Sequence, residues 1–126
     1  MMKRFDWWKI SIDLIREKPL LGHGTGSYRI LHDNAIKGTE ITPTDNPHNE
    51  FLLIAVQCGL AGLFLFFLLI SLQLYESRKV SATSRYLFHG LLLALLSGSL
   101  MNSLLFDSQQ GHCYLLMSAA LLAGTD

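Results

Sequence analysis

The sequence predicts an all-α integral membrane protein, in which a polar loop region bearing amphipathic helices leads into two to three transmembrane helices. Three observations carry this expectation. Acidic and basic residues balance at ten each, but the bulk of both lies within residues 1–50, leaving an apolar remainder. Phe51 to Tyr75 carries no formal charge, and a helix of that length reaches roughly 37 Å, enough to cross a bilayer with some tilt. Two further apolar runs follow, 87–106 and 108–124. A net charge of zero gives no support to nucleic-acid binding.

Residues 1–50 are expected as a loop region with an amphipathic helix over 4–18. Phe5, Trp8, Ile12 and Ile15 recur at helical steps, widened by Trp7, Ile10 and Leu14, and Pro19 ends the pattern. Adjacent tryptophans on such a helix suit a membrane–water interface, where the ring is buried and the N–H stays wet. The residues Met1 to Asp6 do not lead into an apolar core, so a signal peptide is not expected. Cys58 and Cys113 both sit in apolar runs and read as packing residues, not as a disulfide or metal pair.

The stretch Gly22-His23-Gly24-Thr25-Gly26 places a glycine at every second position. Its spacing is not the dinucleotide fingerprint, and the P-loop lysine is absent, so a tight turn and a substrate contact through Gly22 and Gly24 both stay open. Ser27 is expected to cap a short helix over 27–36, with Tyr28, Ile30, Leu31 and Ile36 inward. Residues 37–47 read as an extended loop.

The seam between the two halves is Asn46-Pro47-His48-Asn49-Glu50. Asn46 is the expected N-cap and Pro47 the first helical residue, which puts His48 and Asn49 in the first turn of a helix over about 48–75. Unpaired backbone N–H groups and the dipole's positive end would favour an anion and keep an imidazole neutral there. Ala55, Gly59 and Gly62 suggest a small-residue face for close packing of that helix. The link Glu76 to Arg85 holds three bases against one acid, so it is expected in the cytoplasm and residues 1–50 outside. Further helices are expected over about 87–106 and 109–124 within the membrane region 51–126. Asn102, Ser103 and Asp107 would then lie level with His48. His32, His89 and His112 fit no metal-ligand spacing, and no metal or cofactor is expected.

Taken in order, these pieces resemble the O-antigen ligase family, which includes lipid-linked glycan polymerases and protein O-oligosaccharyltransferases. The matching residues are Arg4-Phe5-Asp6-Trp7-Trp8, Lys18-Pro19-Leu20-Leu21-Gly22-His23-Gly24, Pro47-His48-Asn49-Glu50-Phe51-Leu52 and Gly59-Leu60-Ala61-Gly62. The resemblance implies the C-terminal part of a GT-C-like polytopic glycosyltransferase of the bacterial inner membrane, with residues 1–50 in the periplasm and further N-terminal spans as partners. It implies transfer of a glycan from an undecaprenyl-pyrophosphate carrier to a hydroxyl acceptor such as the lipid A core. On this resemblance His48 would be the general base, Arg4 would contact the pyrophosphate, and Asn49, Gly22 and Gly24 would assist binding. Neutral imidazole can take a proton from an attacking hydroxyl, and a guanidinium can stabilise a leaving pyrophosphate. The competing expectation is a non-catalytic membrane protein, such as a transporter segment or assembly subunit.

Overall fold

The computed structural model describes residues 2–106 and 108–123. Among them the structure is all-helical: α1 (Met2–Glu17), α2 (Tyr28–Ala35), α3 (Glu50–Glu76), a 3₁₀ turn (Ser77–Lys79), α4 (Ala82–Ser99) and α5 (Ser108–Leu122). Asp107 and residues 124–126, which entered the expectations above, lie outside the described residues.

The chain builds two cores, and Gly59 separates them. The first gathers Leu14 of α1, Tyr28 of α2, and Leu53 and Val56 of α3. The second gathers Phe66 and Ile70 of α3, Phe88, Leu92 and Leu95 of α4, and Tyr114 of α5. No residue from 51 to 59 is exposed, whereas Leu60, Phe64, Leu65, Phe67, Leu68 and Leu69 present their side chains outward. An apolar surface of that kind has no stable place in water. Glu50–Lys79 is the one described helix long and apolar enough to cross a membrane.

That helix is not continuous, which corrects the expectation of a single span over 48–75. Gly59 has φ 66° and ψ −163°, outside helical geometry. The backbone groups freed by the break are taken up by the Pro19–Gly24 loop. His23 N donates to Val56 O at 2.9 Å and Gly24 N to Gln57 O at 2.8 Å. In return, Leu60 N donates to Pro19 O at 2.8 Å and Ala61 N to Leu20 O at 3.1 Å. A broken helix is tolerated in an apolar setting only where neighbours satisfy the freed groups, and here a four-bond splice does so. The small residues expected to pack helix on helix serve a different contact: Gly59 admits a loop. The hydrophobic signal is blind to this, since Phe51 to Tyr75 carries no formal charge on either side of the break.

Two further differences concern which faces are buried. On α1 the most buried residues are Ser11 and Leu14, while Phe5 and Ile12 are exposed. Ser11 turns inward because its hydroxyl donates to Trp7 O at 2.7 Å and meets the Tyr28 hydroxyl at 3.0 Å. Burial pushes the Tyr28 hydroxyl up to about 12, against the lowering effect of Ser11, so it stays protonated. On α2, His32 faces inward and Ile30 outward. His32 lies four residues from Tyr28, so the two rings share a helix face and stack at 5.8 Å.

Neither ring nitrogen of His32 finds a hydrogen bond among the described residues. Burial holds its pKa below the ordinary 6.5, with Asp33 opposing that shift. The folded state therefore binds protons less readily than the unfolded chain. This contribution to stability is complete above the unfolded value near 6.5 and is lost as pH falls through the depressed folded value. Thermal unfolding of the protein in micelles should move to lower temperature between pH 7 and pH 5. His32→Phe, which keeps the stack on Tyr28, should flatten that dependence; an unchanged slope would remove His32 as its source.

Candidate functional site at the start of α3

The helix begins later than the sequence suggests. Asn49, not Asn46, is the N-cap: it is extended at φ −155° and its side chain accepts from Leu52 N at 3.1 Å. His48 therefore precedes the helix, in the left-handed region at φ 51°. Asn46 Oδ1 accepts from His48 N at 2.8 Å, a local turn that competes with helix formation. Pro47 is fully buried and its carbonyl accepts from Trp8 Nε1 at 3.0 Å. With Pro47 pinned to α1, the chain reverses at His48 before α3 can start. A non-glycine residue held left-handed costs about 1–2 kcal/mol, and such strain concentrates at functional positions.

Three successive side chains of the seam then take partners from the segment after α4. His48 Nδ1 lies 3.2 Å from Asn102 Oδ1. Asn49 Nδ2 donates to Leu100 O at 3.1 Å. Glu50 Oε2 accepts from Leu105 N at 2.8 Å. This is possible because α4 stops at Ser99, short of the expected 106, so residues 100–106 turn back over the start of α3. Asn102 and Ser103, polar residues inside an apolar run, were the signal for such a turn.

The Asn102 contact sets the tautomer of His48. Asn102 Oδ1 also accepts from Ser103 N at 3.0 Å, which identifies that atom as the oxygen. An oxygen facing Nδ1 requires Nδ1 to carry the proton, leaving the lone pair on Nε2. The Trp7 ring packs against His48 with centroids 5.3 Å apart, and Trp7 Nε1 donates to Thr42 O at 3.0 Å. The imidazole is thus fixed in position and in protonation pattern.

Arg4 lies one helical turn before Trp7, on the same face of α1. It lines, with Lys3, Trp7 and His48, an open depression of about 440 Å³. Arg4 also edges a smaller apolar groove of about 160 Å³, lined by Phe5, Trp8 and Met101. A cationic side chain thus stands between a polar hollow and an apolar one. Arg4 and His48, 44 positions apart in sequence, share one hollow because the Trp8–Pro47 and Trp7–Thr42 bonds hold α1 across the seam.

The other expected site residues are placed differently. Neither Gly22 nor Gly24 lines the depression. Gly22 N donates to Lys18 O at 3.1 Å, and a Cβ at Gly22 would stand 2.6 Å from Gln57 O and Gly59 N. Gly24 spends its amide on Gln57 O. His23 Nε2 bonds Leu14 O at 2.8 Å, clamping the loop to α1. Asn49 is buried, with its amide engaged at both ends. Among the described residues no group of three His, Cys, Asp or Glu side chains is placed to hold a metal ion.

Comparison with known proteins bears on this arrangement. An uncharacterized protein of Haemophilus influenzae is 31% identical over 71 residues, which is 53% of this chain and 18% of the relative. The chain therefore spans under a fifth of that relative's length. No solved structure matches. The O-antigen ligase family model matches residues 1–67, the stretch that carries Arg4, the Pro19–Gly24 loop, His48 and the Gly59 break. This chain belongs to the O-antigen ligase family.

Proposed function

We propose that this chain forms one wall of the transfer site of a membrane glycosyltransferase. The enzyme would move a glycan from an undecaprenyl-pyrophosphate carrier to a hydroxyl acceptor such as the lipid A core. The observation that carries the reading is the fixed imidazole: with Nδ1–H held by Asn102 Oδ1, His48 keeps Nε2 free to act as a base, and it lines the hollow it shares with Arg4. As the acceptor oxygen attacks the anomeric carbon, Nε2 takes its proton and the bond to the pyrophosphate breaks. Arg4, supported by Lys3, neutralises the charge that grows on the leaving group. The apolar groove beside Arg4 suits the first units of the carrier's polyprenyl chain, whose phosphate must stay at the interface.

In this reading Gly22, Gly24 and Asn49 act indirectly. The glycines let the loop dock into α3, which holds α1 and Arg4 in place, and Asn49 fixes the backbone beside His48. Residues 1–50 lie on the periplasmic face of the inner membrane, and Arg78, Lys79 and Arg85 lie in the cytoplasm. A phosphatase fused after Lys79 should therefore be inactive and a fluorescent protein fluorescent; active phosphatase there would reverse the orientation. The test of the function is transfer by the complete protein carrying His48→Asn. Loss of transfer with normal abundance supports the reading, and transfer at the parental rate overturns it.

A further inference from the structure

Glu50 is the first residue of α3, and it is buried at 3% exposure. None of the ion pairs among the described residues includes it. Its charge is met by backbone instead. Leu105 N donates to Oε2 at 2.8 Å, and the Phe106 N–H bonds the same carboxylate. A buried carboxylate stripped of such donors is costly, so the side chain and the turn that supplies them hold each other in place. The helix dipole favours an acid in the first turn of any helix. It does not account for a side chain turned away from solvent onto the segment after α4.

That segment, residues 100–106, sits tightly on its own neighbours. A Cβ at Gly98 of α4 would meet the Leu104 side chain, and one at Gly111 of α5 would stand 2.9 Å from Leu105 O. Toward α3 it is held at both ends, by Asn49 on Leu100 O and by Glu50 on the amides of Leu105 and Phe106. The Glu50 bonds are charge-assisted, a class about twice as strong as neutral hydrogen bonds. Asn102 lies between these anchors. Its Oδ1 accepts from Ser103 N at 3.0 Å, so that oxygen moves with the backbone of the turn. It faces His48 Nδ1 at 3.2 Å. No hydrogen bond remains at about 3.6 Å, so a shift of roughly 0.4 Å in the turn breaks the contact. The ring would then lose the acceptor that assigns its proton to Nδ1.

We infer that Glu50 is a positioning residue: its carboxylate holds the 100–106 turn against α3, and through Asn102 it keeps Nε2 of His48 free of a proton. The consequence for catalysis rests on the transferase reading, in which that nitrogen is the base. The coupling itself belongs to the fold and is measurable without any transfer. Glu50 touches no reacting atom in this scheme; it acts through three residues of backbone, from Leu105 back to Asn102.

The test is nitrogen-15 NMR of the full chain in detergent micelles with labelled histidine, at about pH 8.5, well above the ordinary imidazole range. The shifts of the two ring nitrogens report the tautomer ratio, and the His48 signals are those absent from His48→Asn. Glu50→Asp keeps the charge at the start of α3 but is one methylene too short to reach Leu105 N. Its ratio of Nδ1–H to Nε2–H tautomer should fall at least about fivefold. Glu50→Gln keeps the reach and one acceptor oxygen, and should stay within about twofold of the parent. Asn102→Ala should lower the ratio as far as Glu50→Asp does, and the two changes together should add nothing further. A parental ratio in Glu50→Asp, a loss confined to Glu50→Gln, or losses that add in the double variant would each overturn the inference. One measurement needs no variant. The Leu105 and Phe106 amides, which lie outside any helix, should exchange with deuterium at least about tenfold more slowly than an unprotected chain. Exchange at the unprotected rate would also overturn it. A protein that meets these expectations yet transfers glycan at the parental rate with His48→Asn keeps the coupling and loses the transferase reading.

Discussion

Gly59→Ala is expected to abolish the folded state of this protein, with a loss of at least about 4 kcal/mol. Two effects add. At φ 66° and ψ −163° a residue with a Cβ is strained, by about 1–3 kcal/mol. The added methyl would also stand on the carbonyl of Leu20, so the Pro19–Gly24 loop would have to leave α3. Its four backbone bonds, worth about 0.5–1.5 kcal/mol each in net terms, would go with it. The cost of leaving those groups bare is larger still in an apolar setting. Gly90→Ala is the matched control: Gly90 is helical, and a Cβ there meets nothing within 4 Å. That change should be neutral or stabilise by up to about 1 kcal/mol. Thermal unfolding monitored by circular dichroism in micelles separates the two; a Gly59→Ala protein within about 1 kcal/mol of the parent would show that the break is not required.

His48→Asn in the complete protein should lower the rate of glycan transfer by about 10²–10⁴, the range for loss of a general base. At about 1.4 kcal/mol per decade, that corresponds to roughly 3–5 kcal/mol of transition-state stabilisation. Asn is the informative replacement because it tolerates the left-handed backbone that His48 occupies, so the fold should persist. Asn102 is a positioning residue by this argument, and its signature is a pH profile. Asn102→Asp would put a carboxylate against Nδ1–H, stabilise the imidazolium and raise the basicity of the ring. The limb of the rate profile that reports deprotonation of His48 should move to higher pH. A profile that stays in place while the rate falls would reduce Asn102 to a packing role.

Much of the chain could be read from residue patterns alone, and the places where it could not share a cause. The amphipathic α1, the short α2 and the long apolar α3 each announce themselves by periodicity, composition and a terminating proline or cap, all of which act within a few residues. Arg4 and His48 were singled out by the family motifs they fall in, since a histidine at a helix start taken alone is more often a cap or surface residue. The bonds that define the site were not legible. Asn46 and Asn49 are equally good caps in isolation, and only the burial of Pro47 against Trp8 decides between them. Gly22 and Gly24 left a tight turn and a ligand contact both open; in the fold the Gly22 amide closes a turn on Lys18 O and the Gly24 amide goes to Gln57 O of α3, far along the chain. The expected run of helix to 106 failed for the same reason, since residues 100–106 satisfy Asn49 and Glu50 in place of continuing α4.

The sequence by itself determined the helical class and the division into a charged third and an apolar remainder. These follow from local propensity and from the free energy of placing each side chain in water or hydrocarbon. Tertiary structure alone decided that α3 breaks at Gly59, that His48 sits left-handed ahead of its helix, and that Asn102 fixes which ring nitrogen is free. Each of these is a backbone or side-chain hydrogen bond between segments roughly 35–55 residues apart. No pattern within a helical turn specifies such a bond, because its strength depends on a partner whose position the rest of the fold must first supply.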